Sequence, residues 1–132
     1  MSRKGTSWRA AARSAAYDYP RLRQTLAELR RQGTPALGRM PSGNEAHRST
    51  EDIALRELPQ EQMRRLEAVE QAVAISSQLT SGPSRVKLVE LVYFARRHTV
   101  EGAAMQIPIS TRQAWAWNND FLLLVWARLR GH

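Results

Sequence analysis

Apolar residues recur at spacings of three and four, the period of an α-helix, along most of this chain. No stretch of more than a few residues alternates with the period of a strand. The segment "YPRLRQTLAELRRQG" carries Leu22, Leu26 and Leu29 on one stripe and Arg21, Arg23, Arg30 and Arg31 on the opposite face. Pro20 suits the first turn of that helix and Gly33 its end. Before it, "SRKGTSWRAAARSAAYDY" opens as a flexible basic tail and becomes alanine- and arginine-rich, a good helix composition. Residues 34–48, rich in Pro, Gly, Ser and Asn and without periodicity, read as a linker. A helix then opens at "STEDIALREL", where Ser49 or Thr50 can cap and Glu51 and Asp52 favour the positive end of the helix dipole. Pro59 interrupts it. The next run places Leu66, Val69 and Val73 on a stripe, with Leu79 near its end, while Glu61, Arg64, Glu67 and Glu70 face water. After a break at "TSGPS", "SRVKLVELVYFARRH" is helical with Val86, Val89, Tyr93 and Phe94 inward.

Two further helical patterns follow, joined by Pro-Ile-Ser. In "TVEGAAMQI", Thr99 is an N-cap, Val100, Ala103 and Ile107 share one side, and Ala104 is small where two helices must cross closely. Ile109 can plug the core and Ser110 can cap the next helix. In "TRQAWAWNNDFLLLVWARLRG" an inner stripe runs through Ala114, Trp117, Phe121 and Leu124. Thr111, Arg112, Gln113 and Ala116 then face outward, flanked by Trp115 and Asn119; Trp117 belongs inside and Trp115 partly outside. The outward set suits DNA: Arg can bond guanine bidentately and Gln adenine, while Ser110 and Thr111 can reach phosphate. Gly102 and Pro108 depart from the usual pattern of a helix-turn-helix, and an ordinary helical hairpin would show the same periodicity.

The fold class is all-α: a small helical domain with a C-terminal helix-turn-helix and an N-terminal basic helical arm. The divisions are arm and helix at 1–33, linker at 34–48, and a helical domain at 49–132 whose helix-turn-helix covers about 99–130.

Charge sharpens this. The net charge is +8, from 20 Lys+Arg against 12 Asp+Glu. Residues 1–40 hold nine basic and two acidic groups, residues 41–83 four and seven, and residues 84–132 seven and three. Basic ends around an acidic middle suit contact with a polyanion, although an arginine-rich soluble protein would share the excess. Arg3, Lys4, Arg9 and Arg13, too loosely spaced for one helical stripe, are candidate phosphate contacts without sequence reading, as are Arg96 and Arg97. With no cysteine, disulfides, a thiol nucleophile and Cys-based zinc sites are excluded. His47, His98 and His132 have no ligand spacing, so neither metal nor cofactor is expected. No nucleophile with a base, carboxylate pair in an apolar setting or phosphate-binding glycine loop points to an enzyme. Neither a signal peptide nor a membrane span is legible, which implies a cytoplasmic protein.

The run "SRVKLVELVYFARRHTVEGAAMQIPISTRQAWAWNNDFLLLVWARL" resembles the phage-encoded transcriptional regulators of the ArpU and RinA type, whose C-terminal half is similar to the promoter-reading end domain of sigma factors. The likeness lies in an Arg-containing helix leading into T-x-E-x-x-A-x-x-I-x-I-S, then Ala114, the aromatic pair Trp115 and Trp117, and Phe121-Leu122. Upstream, "YPRLRQTLAELRRQ", the Pro-rich gap and "STEDIALREL" keep the family's order, so the resemblance spans residues 17–131. It implies a sequence-specific DNA-binding regulator, an activator of phage late or packaging genes, acting in the bacterial host cytoplasm on double-stranded DNA. Two other functions fit the pattern: a terminase small-subunit-like packaging protein, and an adaptor that docks on RNA polymerase.

One segment asks for a partner. "FLLLVWARL" places seven apolar residues in a row, where one helical face needs three or four in two turns. The outer side of its helix, at Leu123 and Trp126, needs cover either from the Leu22, Leu26 and Leu29 stripe or from a second copy in a weak homodimer.

Overall fold

A computed structural model describes the backbone of residues 3–33 and 58–131, with side chains for residues 8–31 and 58–131. The expected linker at 34–48, the helix opening at 49–57 and the side chains of Arg3 and Lys4 lie outside the described residues. The chain is all-α, as its periodicity indicates, and the described residues contain no strand. They form α1 (Arg3–Gly33), α2 (Gln60–Gln78), α3 (Gly82–Val89), α4 (Val100–Gln106) and α5 (Thr111–Arg130), with a π-helical turn, Glu90–Phe94, continuing α3. Helix α5 packs against each of the other four α-helices and is the axis of the molecule. None of these helices is long and apolar enough to cross a membrane.

The N-terminal segment differs from expectation. Its tail and helix are one continuous helix of 31 residues, with Pro20 in its interior. Proline there has no N–H for the carbonyl of Ala16, a loss that costs an isolated helix about 3 kcal/mol. Packing on both sides of the proline offsets it. Ala12, Ala15 and Ala16 are fully buried against α5 and its neighbours in the main core. Leu22 and Leu26 are buried in a second, smaller core with Leu58 and Leu66. Tyr19 packs against both, so the residue beside the proline ties the two cores together. Fully burying a leucine contributes about 1.5–3 kcal/mol, enough in total to keep the helix continuous.

This arrangement also decides what covers α5. The Leu22, Leu26 and Leu29 stripe packs on Leu58, Leu66 and Met63 and is not the cover for the last helix. Trp126 is instead half-buried, packed against the main core, and lines an open cleft together with Ala11, Ser14, Arg65 and Leu129. Leu123 keeps 45% of its surface exposed. An alanine-rich stretch of α1 thus takes over part of the role expected of the leucines, because small side chains let α1 approach α5 closely.

Two other details depart from simple helical reading. Leu79, expected on the α2 stripe, is exposed because α2 ends at Gln78 and the extended Leu79 caps it, its N–H donating to the Ser76 carbonyl. In the π turn, Ala95 N–H donates to Glu90 O and Arg97 N–H to Leu91 O. The wider turn rotates the inward face, so Leu88, Val89, Val92 and Tyr93 are buried while Val86 and Phe94 are only partly so.

Candidate nucleic-acid interface

Helices α4 and α5 are joined by residues 107–110, and both begin with a side-chain cap. Thr99 Oγ1 accepts from Gly102 N–H and Ser110 Oγ accepts from Gln113 N–H, each at 3.0 Å. Thus Ser110, a candidate phosphate contact, also satisfies one of the unpaired amides at the start of α5. Ile109 donates its N–H to Ala104 O across the turn and, with Ile107, packs against the main core. Ala103 and Ala104 are buried where α4 meets α5, and the closeness of that crossing is what their small side chains allow.

Along α5 the inner side is Ala114, Trp117, Asn118, Phe121, Leu122 and Val125. Thr111, Arg112, Gln113 and Ala116 are all exposed, and Trp115 is 46% exposed against 6% for Trp117. Helical geometry puts Arg112, Ala116, Asn119 and Leu123 on one outward stripe, since they are spaced by four, three and four. Met105 of α4, 79% exposed, is the most open large apolar side chain among the described residues.

Of the candidate phosphate contacts, Arg9 reaches α5, while Arg13 and Arg96 lie on either side of the Tyr17 and Tyr93 rings. Arg9 Nη2 donates to Asn119 Oδ1 at 3.0 Å, and its guanidinium lies 4.8 Å from the Trp8 ring centre. One turn on, Arg13 lies close enough to the Tyr93 hydroxyl to favour its ionised form. Arg96, in the left-handed backbone region at φ 55°, stacks its guanidinium 4.4 Å over the Tyr17 ring, which in turn lies 5.1 Å from Tyr93. Arg9, Arg13 and Arg96 therefore follow α1 past the π turn and the middle of α5 as one exposed basic edge, with Arg97 exposed beside it. Fixed cations along this edge raise the local positive potential.

No protein-family model, curated protein or solved structure matches this chain.

Two contacts that hold α5 in place have no local sequence signal. Arg85, on α3, donates through Nη1 to Asp120 at 3.0 Å and through Nε to Thr80 O at 2.8 Å, with its guanidinium 5.3 Å from the Trp117 ring centre. Tyr93 donates its hydroxyl to the buried Asn118 Oδ1. Asn118 precedes Asn119, so this bond fixes the rotation of α5 beneath the outward stripe. Burial, with the nearby Tyr17 adding to it, pushes the Tyr93 hydroxyl up to about 12, against the lowering effect of Arg13 and Asn118. A phenol whose folded-state value is raised holds its proton longer when folded than when unfolded. Its contribution is intact below pH about 10 and falls away as pH rises from there to about 12, a loss on the order of 2–3 kcal/mol. Urea unfolding at pH 9 and near pH 12 should therefore show a smaller alkaline loss in Tyr93→Phe than in the wild type. At pH 7 the same variant should lose about 1–3 kcal/mol, because it leaves Asn118 Oδ1 without its donor. An equal alkaline loss in both proteins would place the sensitivity elsewhere.

Proposed function

We propose that the chain is a sequence-specific, double-stranded-DNA-binding transcriptional regulator that reads the major groove with the first turns of α5. It acts as an activator of phage late or packaging genes in the cytoplasm of a bacterial host, the role its resemblance to ArpU- and RinA-type regulators implies. The observation that carries the DNA-binding part is the start of α5. There a capped helix end presents Thr111, Arg112, Gln113 and Ala116 outward, after the short helix α4 and a four-residue connection, and on this reading α4 and α5 act as a helix-turn-helix. Among the described residues nothing hydrogen-bonds the Arg112 guanidinium or the Gln113 amide group, so both can meet base edges. The flanking arginine edge supplies phosphate contacts, and exposed Trp115 can pack on the sugar-phosphate backbone.

Selection from a randomised duplex library tests this. The wild type should enrich a defined sequence, and Arg112→Ala and Gln113→Ala should each lose about 1–3 kcal/mol of discrimination at one base pair. Both variants should keep the wild-type circular dichroism spectrum, since both side chains are exposed. A sequence preference identical in all three proteins would remove these residues as readers.

A further inference from the structure

We infer that Arg9, on α1, determines which base Asn119 reads, by holding the Asn119 carboxamide in one orientation. The inference rests on α5 being the DNA-reading helix. Asn119 lies on the outward stripe with Arg112 and Ala116, two turns into α5. Its Oδ1 accepts from Arg9 Nη2 at 3.0 Å. A guanidinium has only donors, so the amide must turn its oxygen toward Arg9 and its NH2 group away. Arg9 is itself anchored: its guanidinium lies over the Trp8 ring, and Trp8 is partly buried against the main core. The bond is charge-assisted, which makes the oxygen costly to withdraw.

The consequence follows from base chemistry. A free asparagine reads adenine with two bonds, accepting from N6 and donating to N7. With the Arg9 guanidinium on its oxygen, Asn119 turns its N–H donors away from Arg9, and the second lone pair of Oδ1 lies beside a cation that disfavours a further donor. Guanine presents two adjacent acceptors, N7 and O6, and is the matching partner, whereas adenine's amino group would have to approach an oxygen already shared with the Arg9 cation. Arg9 is a positioning residue in this scheme, acting through Asn119. Helix α1, otherwise a source of core packing and of charge, takes part in specificity on this reading.

The test compares full-length wild type, Arg9→Ala, Asn119→Ala, the double variant and Arg97→Ala on a randomised duplex library, with circular dichroism as the folding check. The wild type should prefer guanine over adenine at one base pair by about 5- to 10-fold, as expected for one hydrogen bond's worth of discrimination. Arg9→Ala should shift that position toward adenine, Asn119→Ala should erase the preference there, and the double variant should match Asn119→Ala. Arg97→Ala removes the same charge and should weaken all duplexes alike. If Arg9→Ala keeps the wild-type preference and merely binds every duplex more weakly, Arg9 is a phosphate contact and the inference fails while the reading of α5 stands. If Asn119→Ala keeps the preference, the inference fails as well. A wild type with no sequence preference anywhere overturns the DNA-reading proposal itself.

Discussion

Phe121→Ala is expected to cost about 3–5 kcal/mol of folding stability, the range for emptying a buried aromatic site. Phe121 is 2% exposed and is the largest of the fully buried side chains among the described residues. It sits in the middle of α5, the helix that every other α-helix touches, so the void would open where no single element can move to fill it. Its ring lies 5.7 Å from that of Tyr93, and Tyr93 holds Asn118. The substitution therefore removes dispersion and transfer energy and loosens the bond that sets the rotation of α5. Against a total stability of about 5–15 kcal/mol for a domain, that is a large share. Urea unfolding followed by far-ultraviolet circular dichroism reads it directly. Phe121→Leu, which keeps most of the volume, should lose clearly less. A loss below about 1 kcal/mol in Phe121→Ala would mean that α5 does not organise this core.

The parts of the molecule that periodicity can encode were readable from the chain. Thr99 and Ser110 are caps because a short hydroxyl side chain stands at the start of an apolar rhythm, and both make that bond. The inward turn of Trp117 and the exposure of Trp115 follow from the same rhythm. Pro20 misled for a physical reason. Local propensity ends a helix at a proline, whereas two hydrophobic cores, one on each side, hold α1 continuous. Tertiary packing overrides propensity where the buried area is large enough. The leucine stripe was visible as a stripe, but what it packs on was not. Partner choice among apolar stripes depends on the path of the chain, which spacing does not carry. The contacts around the candidate reading face were beyond reach for the same reason. Arg9 and Asn119 stand 110 positions apart, and each looks like an ordinary polar surface residue in its own segment.

The other large effect belongs to a glycine, and a second glycine shows why it should be specific. Gly82 begins α3, immediately after Ser81 turns the chain through the left-handed region at φ 60°. A Cβ at position 82 would lie 2.1 Å from the Ser77 carbonyl oxygen and 2.6 Å from its carbon, both backbone atoms at the end of α2. No rotamer change relieves a backbone clash. Residues 77–82 would have to move, and with them Thr80, whose carbonyl accepts from Arg85, and so the Arg85 clamp on Asp120. Gly82→Ala should accordingly cost about 3 kcal/mol, at the upper end of the usual effect of overpacking. Gly102 is different. A Cβ there would meet Thr99 Oγ1 at 3.4 Å and the His98 ring at 3.6 Å, both of them side-chain contacts near ordinary van der Waals distance. Alanine at 102 should therefore recover helix propensity and stabilise the protein by about 0.5–1 kcal/mol. Thermal unfolding of the two variants side by side gives opposite signs if the junction between α2 and α3 is built around the missing side chain. Equal, small shifts in both would show that the junction can yield and that Gly82 is not required there.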